Sequence, residues 1–137
     1  MNRSEALQAL AGCRVGHLGT ILPGGDPHIV PVTFAVLGKT VVTMVDHKPK
    51  STTRLQRLVN IERHPRATVL ADSYSEDWSE LWWVRVDGEA AIHEDDTAWR
   101  EARNALAHKY DQYRDQMPQG PAVVVSIDRI SSWESTP

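Results

Sequence analysis

The sequence predicts one domain, residues 1–137, in which about six antiparallel strands form a small barrel with two or three flanking helices, a mainly β class with helices (α+β). A chain of 137 residues has the size of one ordinary domain. Its first third carries short β-branched runs separated by turn residues, which leaves no room for crossover helices between them. Because an open sheet of this kind would expose its edges, closure into a barrel is expected.

The first half of the chain is predicted to form a helix and then a three-stranded meander. Leu7 and Leu10 lie three positions apart behind Ser4, which indicates a short amphipathic helix over residues 4–11. The strands that follow are expected at residues 15–21, 28–37 and 40–45. Pro31 has no N–H for a strand ladder, so its position should lie at an edge, at a bulge or beside a ligand.

The second half alternates helices and strands. Ser51 or Thr52 is suited to cap a helix over residues 51–63, and Pro65 follows its end. Strands are expected at residues 66–73 and 78–93, and the second of them should be the longest strand. A helix capped by Asp95 or Asp96 is expected from residue 97 to about 114, and a last strand at residues 122–127.

Composition and charge exclude several classes of protein. The 15 basic and 18 acidic residues give a net charge of −3, which argues against nucleic-acid binding. The single cysteine, Cys13, excludes an internal disulfide or a multi-cysteine metal site and favours a reducing cytoplasm. No apolar stretch is long enough for a signal peptide or a membrane span, so the protein is expected to be cytoplasmic with no membrane partner.

One cluster has the character of an anion site. Lys48, Lys50 and Arg54 surround the hydroxyls of Ser51 and Thr52 at the expected helix start, where free backbone N–H groups favour a phosphate. The glycines of a P-loop or a dinucleotide fingerprint are missing. The alternative is that Ser51 only caps the helix and the lysines are solvated.

The chain shows no signature of metal or acid–base catalysis. Its six histidines include no i, i+4 pair and no HExxH motif, so no metal site is predicted. No nucleophile with an activating partner is visible either, and no catalytic residue is assigned. Five tryptophans are unusual for this size, and Trp78, Trp82 and Trp83 cluster within six positions. Such side chains need either a deep core or a flat partner, and a core or interface position is favoured for Trp82 and Trp83.

Five segments in this order carry a family resemblance: Val15–Thr20, Pro27–Phe34, Lys48–Thr52, His64–Leu70 and Ser75–Ala90. Their succession resembles the split β-barrel flavin and deazaflavin oxidoreductases, the pyridoxamine 5′-phosphate oxidase-like proteins. Within them the chain looks most like the actinobacterial branch that uses coenzyme F420. The resemblance covers nearly the whole chain and implies an FMN-binding-protein-like split barrel.

The resemblance also implies a homodimer with two elongated cofactor sites at the subunit interface. The cofactor residues that it implies are Lys48, Lys50, Ser51, Thr52 and Arg54 around the phosphate or acidic tail, Val30, Pro31, Val32 and Thr33 along the ring, and Trp78 from the partner chain.

The function implied is transfer of a hydride from reduced F420 to an electron-poor small molecule, such as an activated alkene or a quinone-like acceptor. Such an enzyme needs no catalytic acid or base of its own, because the cofactor carries the chemistry. The alternatives are an FMN-dependent oxidase or reductase of the same fold, and a non-catalytic dimer that binds a cofactor or haem. The long anionic tail of F420 needs more positive charge than FMN, which Lys48, Lys50, Arg54 and Arg57 would supply. The alternative for Lys48 and Arg57 is that they face solvent.

Overall fold

The computed structural model describes residues 1–46 and 55–136. Its elements are α1 (Arg3–Ala11), β1 (Gly16–Ile21), β2 (Pro27–Val32), β3 (Ala35–Leu37), β4 (Thr40–Met44), α2 (Gln56–Arg63), β5 (Arg66–Ser73), a 3-10 helix (Trp78–Glu80), β6 (Trp82–His93), α3 (Thr97–Lys109), α4 (Asp111–Asp115) and β7 (Ala122–Glu134). The seven strands of these ranges form one antiparallel sheet in the order β2-β1-β5-β6-β7-β4-β3. The antiparallel architecture is as predicted, but the number of strands exceeds the predicted six.

The extra strand arises because the predicted strand over residues 28–37 is two strands. β2 pairs with β1, whereas β3 pairs with β4, and the two lie at opposite ends of the sheet. Only Thr33 and Phe34 separate them, so the sheet curls until its two edges approach each other. The predicted meander is therefore wrong within its second strand, whereas the predicted turns before and after that strand both connect paired strands. The edge position predicted for Pro31 is confirmed, since β2 is an edge strand.

A tyrosine side chain occupies the break between β2 and β3. The Oη atom of Tyr110 accepts the N–H of Phe34 at 3.2 Å and lies 3.1 Å from the carbonyl oxygen of the same residue. It also donates to the carbonyl of Arg14 at 2.8 Å. Because the Tyr110 hydroxyl accepts the Phe34 N–H, the chain changes direction there without leaving that buried donor unpaired.

The helix starts differ from prediction. Asn2, not Ser4, caps α1: its Oδ1 accepts the N–H of Glu5 at 2.9 Å, and the Glu5 carboxylate accepts the Asn2 N–H at 3.4 Å. α2 begins at Gln56 after an extended Leu55, so the predicted helix is not continuous over residues 51–63; Ser51 and Thr52 themselves lie outside the described residues. The first buried side chain of α2 is Leu58.

Three further boundaries were displaced. β6 begins at Trp82 because the Asp77 carboxylate accepts the Ser79 N–H at 3.1 Å and caps the preceding 3-10 helix. β7 continues past the predicted end at residue 127, paired with β6 up to the Trp82–Glu134 pair, and is the longest strand described at 13 residues. The predicted helix to residue 114 divides into α3 and α4 at the extended Tyr110. β5 lies where it was predicted.

Two apolar clusters share β4 between them. Val41 faces the barrel interior with Phe34 and the inward residues of the other strands, whereas Val42 packs under α3 with Leu106 and Tyr110. β4 is thus buried on both faces, with α3 covering its outer side. Across the described residues, no helix combines the length and apolar character needed to span a membrane.

Candidate functional site

A cleft of about 440 Å³ opens where β2 ends, and we call it the β2–α2 cleft. Pro31, Val32 and Thr33 form one side of it, and Tyr113 of α4 reaches it from another. Asp46 and Leu55, the residues that border segment 47–54, both line it. The cleft therefore extends from the predicted ring-facing strand to the two residues that border the predicted anion-binding cluster of residues 48–54, which we call the basic corner.

A chain of hydroxyl groups holds Thr33 in place. Tyr113 donates from Oη to Oδ1 of Asp46 at 2.9 Å, so the short contact of 2.6 Å between Tyr113 and Thr33 uses the Thr33 hydroxyl as donor. Thr43 donates to the Thr33 carbonyl at 2.7 Å. Burial raises the pKa of Tyr113, with Asp46 acting in the same direction and the hydrogen bond from Thr33 opposing it. Tyr113 is thus a neutral phenol that positions the wall of the cleft.

Arg57 is the cation of the β2–α2 cleft. Its guanidinium is half-buried and forms no hydrogen bond or ion pair with another described residue. Burial lowers the pKa of Arg57, while the Asp46 carboxylate and Tyr113 oppose that shift. A desolvated guanidinium that no carboxylate of the described residues pairs with is suited to bind an anion, since charge-assisted hydrogen bonds are strong where water is scarce.

The outer face of the sheet carries a separate cleft of about 470 Å³, which we call the outer-face cleft. Asp87 lies at its base, 8% exposed, and accepts from Thr68 Oγ1 at 2.6 Å and from Arg129 Nε at 3.1 Å. Two large apolar side chains stand on the same face, Ile29 at 66% and Leu70 at 38% exposure. Large exposed apolar patches are typical of surfaces that contact other molecules, and these two side chains make this face a candidate for such contact.

The structure brings together some of the predicted site residues. Pro31, Val32 and Thr33 line the β2–α2 cleft. Val30 instead packs against the barrel core, and Trp78, 68% exposed, is not part of this cleft. The remaining predicted residues, Lys48, Lys50, Ser51, Thr52 and Arg54, lie outside the described residues.

Two residues of this site, Asp46 and Tyr113, were given no role by the sequence. Arg57 was expected only as one of four cations along the cofactor tail. The hydroxyl of Tyr113, three positions after Tyr110, indicates that this side chain needs a polar partner. That partner, Thr33, lies 80 positions away in the sequence and could not be identified from it. Within residues 1–46 and 55–136, no cluster of three His, Cys, Asp or Glu side chains is suited to hold a metal ion.

The model of the pyridoxamine 5′-phosphate oxidase family matches residues 3–135. The chain belongs to this family. The predicted superfamily of flavin-binding split barrels is thereby confirmed, at a level that does not distinguish one cofactor from another. No curated protein matched the chain.

Solved structures show the same fold in this family member's neighbours. A conserved hypothetical protein of Mycobacterium tuberculosis is 26% identical over 98% of this chain and 85% of its own, with a TM-score of 0.79. An FAD-binding protein of Mesorhizobium loti is 18% identical over 96% and 94%, with a TM-score of 0.73. A haem-binding protein of Mycobacterium smegmatis is 22% identical over 95% of this chain and 56% of its own, also with a TM-score of 0.73. One fold thus carries different ligands.

Proposed function

We propose that this protein is an F420-dependent oxidoreductase that passes a hydride to an electron-poor small molecule, such as an activated alkene or a quinone-like acceptor. The observation that carries the proposal is Arg57, a half-buried cation without an ion-pair partner among the described residues, in the same cleft as Pro31 and Thr33. An anionic cofactor would supply the missing counter-charge, so the residues present fit such a group.

The cationic residues would bind the cofactor through its phosphate and tail. Arg57 offers a guanidinium at the cleft, and Lys48, Lys50 and Arg54, with the hydroxyls of Ser51 and Thr52, are proposed to continue the positive charge along the tail. FMN ends in one phosphate, whereas F420 carries a phosphate and a polyglutamate tail. A series of cations longer than one phosphate requires is what favours F420 over FMN.

The strand residues would position the ring. Pro31, on the edge strand, has no N–H that a flat ring would leave unpaired by covering it. Thr33 is held through its hydroxyl by Tyr113 and through its carbonyl by Thr43. When bound, the deazaflavin supplies the hydride-transfer chemistry. The protein's part is to bind, orient and exclude water, which requires no acid or base among its side chains.

A homodimer is part of the proposal, with the sheet's outer face as the contact surface. Ile29 and Leu70 supply exposed apolar area there. Trp78 of each chain would cover the cofactor bound by the other chain, in keeping with the exposure of this side chain and with its absence from the β2–α2 cleft of the same chain. We expect Ile29→Asp to shift the protein from dimer to monomer in analytical ultracentrifugation, whereas Leu37→Asp, 39% exposed elsewhere, leaves the dimer intact. A monomeric wild-type protein would contradict this arrangement.

Cofactor titration tests the central proposal. Purified protein is titrated with F420, FMN and haemin, with tryptophan fluorescence and calorimetry as readouts. We expect F420 to bind most tightly, and Arg57→Met to weaken it by about tenfold or more, the value of one charge-assisted hydrogen bond. Arg63→Met, an exposed arginine on the same helix, is the matched control and should leave affinity unchanged.

Each other outcome has a defined meaning. Tight binding of FMN without F420 would replace the proposed function by the flavin alternative, which the FAD-binding neighbour of Mesorhizobium loti makes the natural second candidate. Haemin binding with a Soret band would favour the haem-binding alternative. Unchanged F420 affinity in Lys50→Ala would remove the basic corner from the site while leaving the cofactor assignment standing.

A further inference from the structure

A third cleft, of about 710 Å³, lies between the end of α1, β3 and α3, and we call it the α3 cleft. Ala35, Val36 and Leu37 of β3 give it an apolar side, together with Ala105 of α3. Lys109, the last residue of α3, also lines it. This cleft shares no lining residue with the β2–α2 cleft, so what it binds is independent of the proposed function.

The amine of Lys109 is buried and has no hydrogen-bond partner. It lies 4.1 Å from the ring centroid of Phe34 and 5.3 Å from that of Tyr110. Burial lowers the pKa of Lys109 to about 8, and the neighbouring Arg14 acts in the same direction while Cys13 opposes it. The two rings offset only part of the cost of removing an ammonium group from water.

A second cation adds to this unbalanced charge. Arg14 stands over the Tyr110 ring at 4.6 Å and donates from Nη1 to the carbonyl oxygen of Lys109 at 3.2 Å. Arg14 therefore satisfies the end of α3, whereas the Lys109 amine satisfies nothing. No carboxylate contributes to the pKa shift of Lys109.

The carboxylate that does line the cleft is far along the same helix. Glu101 precedes Lys109 by eight positions, which is about 12 Å of helix at a rise of about 1.5 Å per residue. The α3 cleft is therefore positive where Lys109 and Arg14 meet, apolar along β3 and negative near Glu101.

We propose that the α3 cleft binds a small monocarboxylate with an apolar tail, its carboxylate on Lys109 and its tail along Ala35, Val36 and Leu37. The ligand gives the amine the acceptor that it lacks, after the flexible side chain turns Nζ from the Phe34 ring into the cleft. Glu101 selects against a second carboxylate at the other end of the ligand. Neutral molecules of the same length leave Lys109 unpaired and bind less well.

Calorimetry with octanoate as the probe tests this proposal. We expect saturable binding of octanoate at neutral pH, and affinities at least tenfold lower for octan-1-ol, which lacks the charge, and for suberate, which carries a second carboxylate. Lys109→Met should lower octanoate affinity at least tenfold, while Lys39→Met, at an exposed lysine in the turn after β3, should not change it. Equal affinity for octan-1-ol or for the Lys109→Met variant would overturn the proposal.

Two measurements keep the test independent of any folding defect in that variant. In the wild-type protein, octanoate should raise the pKa of Lys109, followed by NMR of the ¹³C-labelled ε-methylene, because the carboxylate stabilises the ammonium form. Ala105→Leu should reduce binding by narrowing the cleft without removing either cation. An unchanged Lys109 pKa at saturating octanoate would place the ligand elsewhere and refute the assignment.

Discussion

Asp87 on the outer face and Lys109 beside the α3 cleft both carry charges held away from water, but only the charge of Asp87 has hydrogen-bond partners. Asp87 accepts hydrogen bonds from Thr68 on β5 and Arg129 on β7, with Arg85 of its own strand 3.9 Å away. Lys109 has no polar partner for its amine. A fully partnered charge supports the fold, whereas an unpartnered one costs stability that a ligand can return. Arg57 resembles Lys109 in this respect.

The largest effect should come from the backbone beside Asp87. The β6–β7 register shifts between Asp87 and Gly88, and a Cβ atom at Gly88 would collide with the backbone carbonyl of Ser126. We expect Gly88→Ala to lower the free energy of unfolding by about 3 kcal/mol or more, because neither strand can yield without losing ladder hydrogen bonds.

Urea unfolding of Gly88→Ala measures this effect. The control is Gly24→Ala, at a turn position where a Cβ meets no atom within 4 Å and φ is not positive, and its stability should stay within about 0.5 kcal/mol of wild type. Similar losses in the two variants would mean that the close approach of Gly88 to the Ser126 carbonyl does not restrict that position.

The next largest effect concerns Asp87 itself. Asp87→Ala leaves Thr68 and Arg129 without their acceptor, so we expect a loss of about 2–3 kcal/mol in the free energy of unfolding. Asp128→Ala removes a carboxylate that also pairs with an arginine, Arg66, but both of those side chains are about half exposed. The control should lose about 1 kcal/mol or less. Equal losses in chemical denaturation would remove the distinction between a buried carboxylate and a half-exposed one.

The same comparison shows what sequence can predict. The strands predicted at 66–73 and 78–93 were visible because β-branched and aromatic residues fill them between turn signals, although the second begins only at Trp82. The break after residue 32 was not, because residues 28–37 are a continuous β-forming run. It depends on the hydroxyl of Tyr110, 76 positions away from Phe34, and nothing local to the run signals it.

The residues of the candidate site also fall into two groups, those that the sequence predicted and those that only the structure identifies. Pro31 and Thr33 were predicted through a resemblance of motifs, and the structure places both at a cleft. Arg57 and Tyr113 gain their importance from burial and from partners far along the chain. A sequence pattern identifies an arginine on a helix but not whether a carboxylate will neutralise it, since that depends on which elements the fold brings together.

Replacing Lys109 should change stability in the opposite direction to replacing Asp87, because it should stabilise the protein. Its pKa falls from 10.5 in the unfolded chain to about 8 in the folded protein, so between those values the unfolded state binds more protons and wild-type stability rises with pH. Below pH 8 the full cost of the buried ammonium is present. Lys109→Met should therefore raise Tm at pH 7 by about 2–4 °C, less than the whole pKa shift would suggest because part of the group is screened by solvent.

The pH dependence separates charge from packing in that variant. The advantage of Lys109→Met over wild type should shrink as the pH rises from 8 to 10.5, because the wild-type amine is then neutral in the folded protein. Calorimetric scans across this range, with Lys39→Met as the exposed control, provide the measurement. A stabilisation that does not change with pH would assign the effect to packing against Phe34 and not to the unpartnered charge.

The smallest effect is expected at Tyr113, whose hydroxyl has one half-buried partner and one exposed partner and so is intermediate between the fully partnered Asp87 and the unpartnered Lys109. Its hydroxyl links the half-buried Thr33 to the exposed Asp46, so Tyr113→Phe deprives Thr33 of its acceptor while Asp46 remains hydrated. We expect a loss of about 1 kcal/mol in the free energy of unfolding, and little change for Tyr74→Phe, whose ring is 65% exposed. Since the same hydroxyl positions the wall of the β2–α2 cleft, Tyr113→Phe should also weaken cofactor binding about two- to fivefold by calorimetry. A stability loss with unchanged affinity would make Tyr113 a support of the fold alone, as Asp87 is.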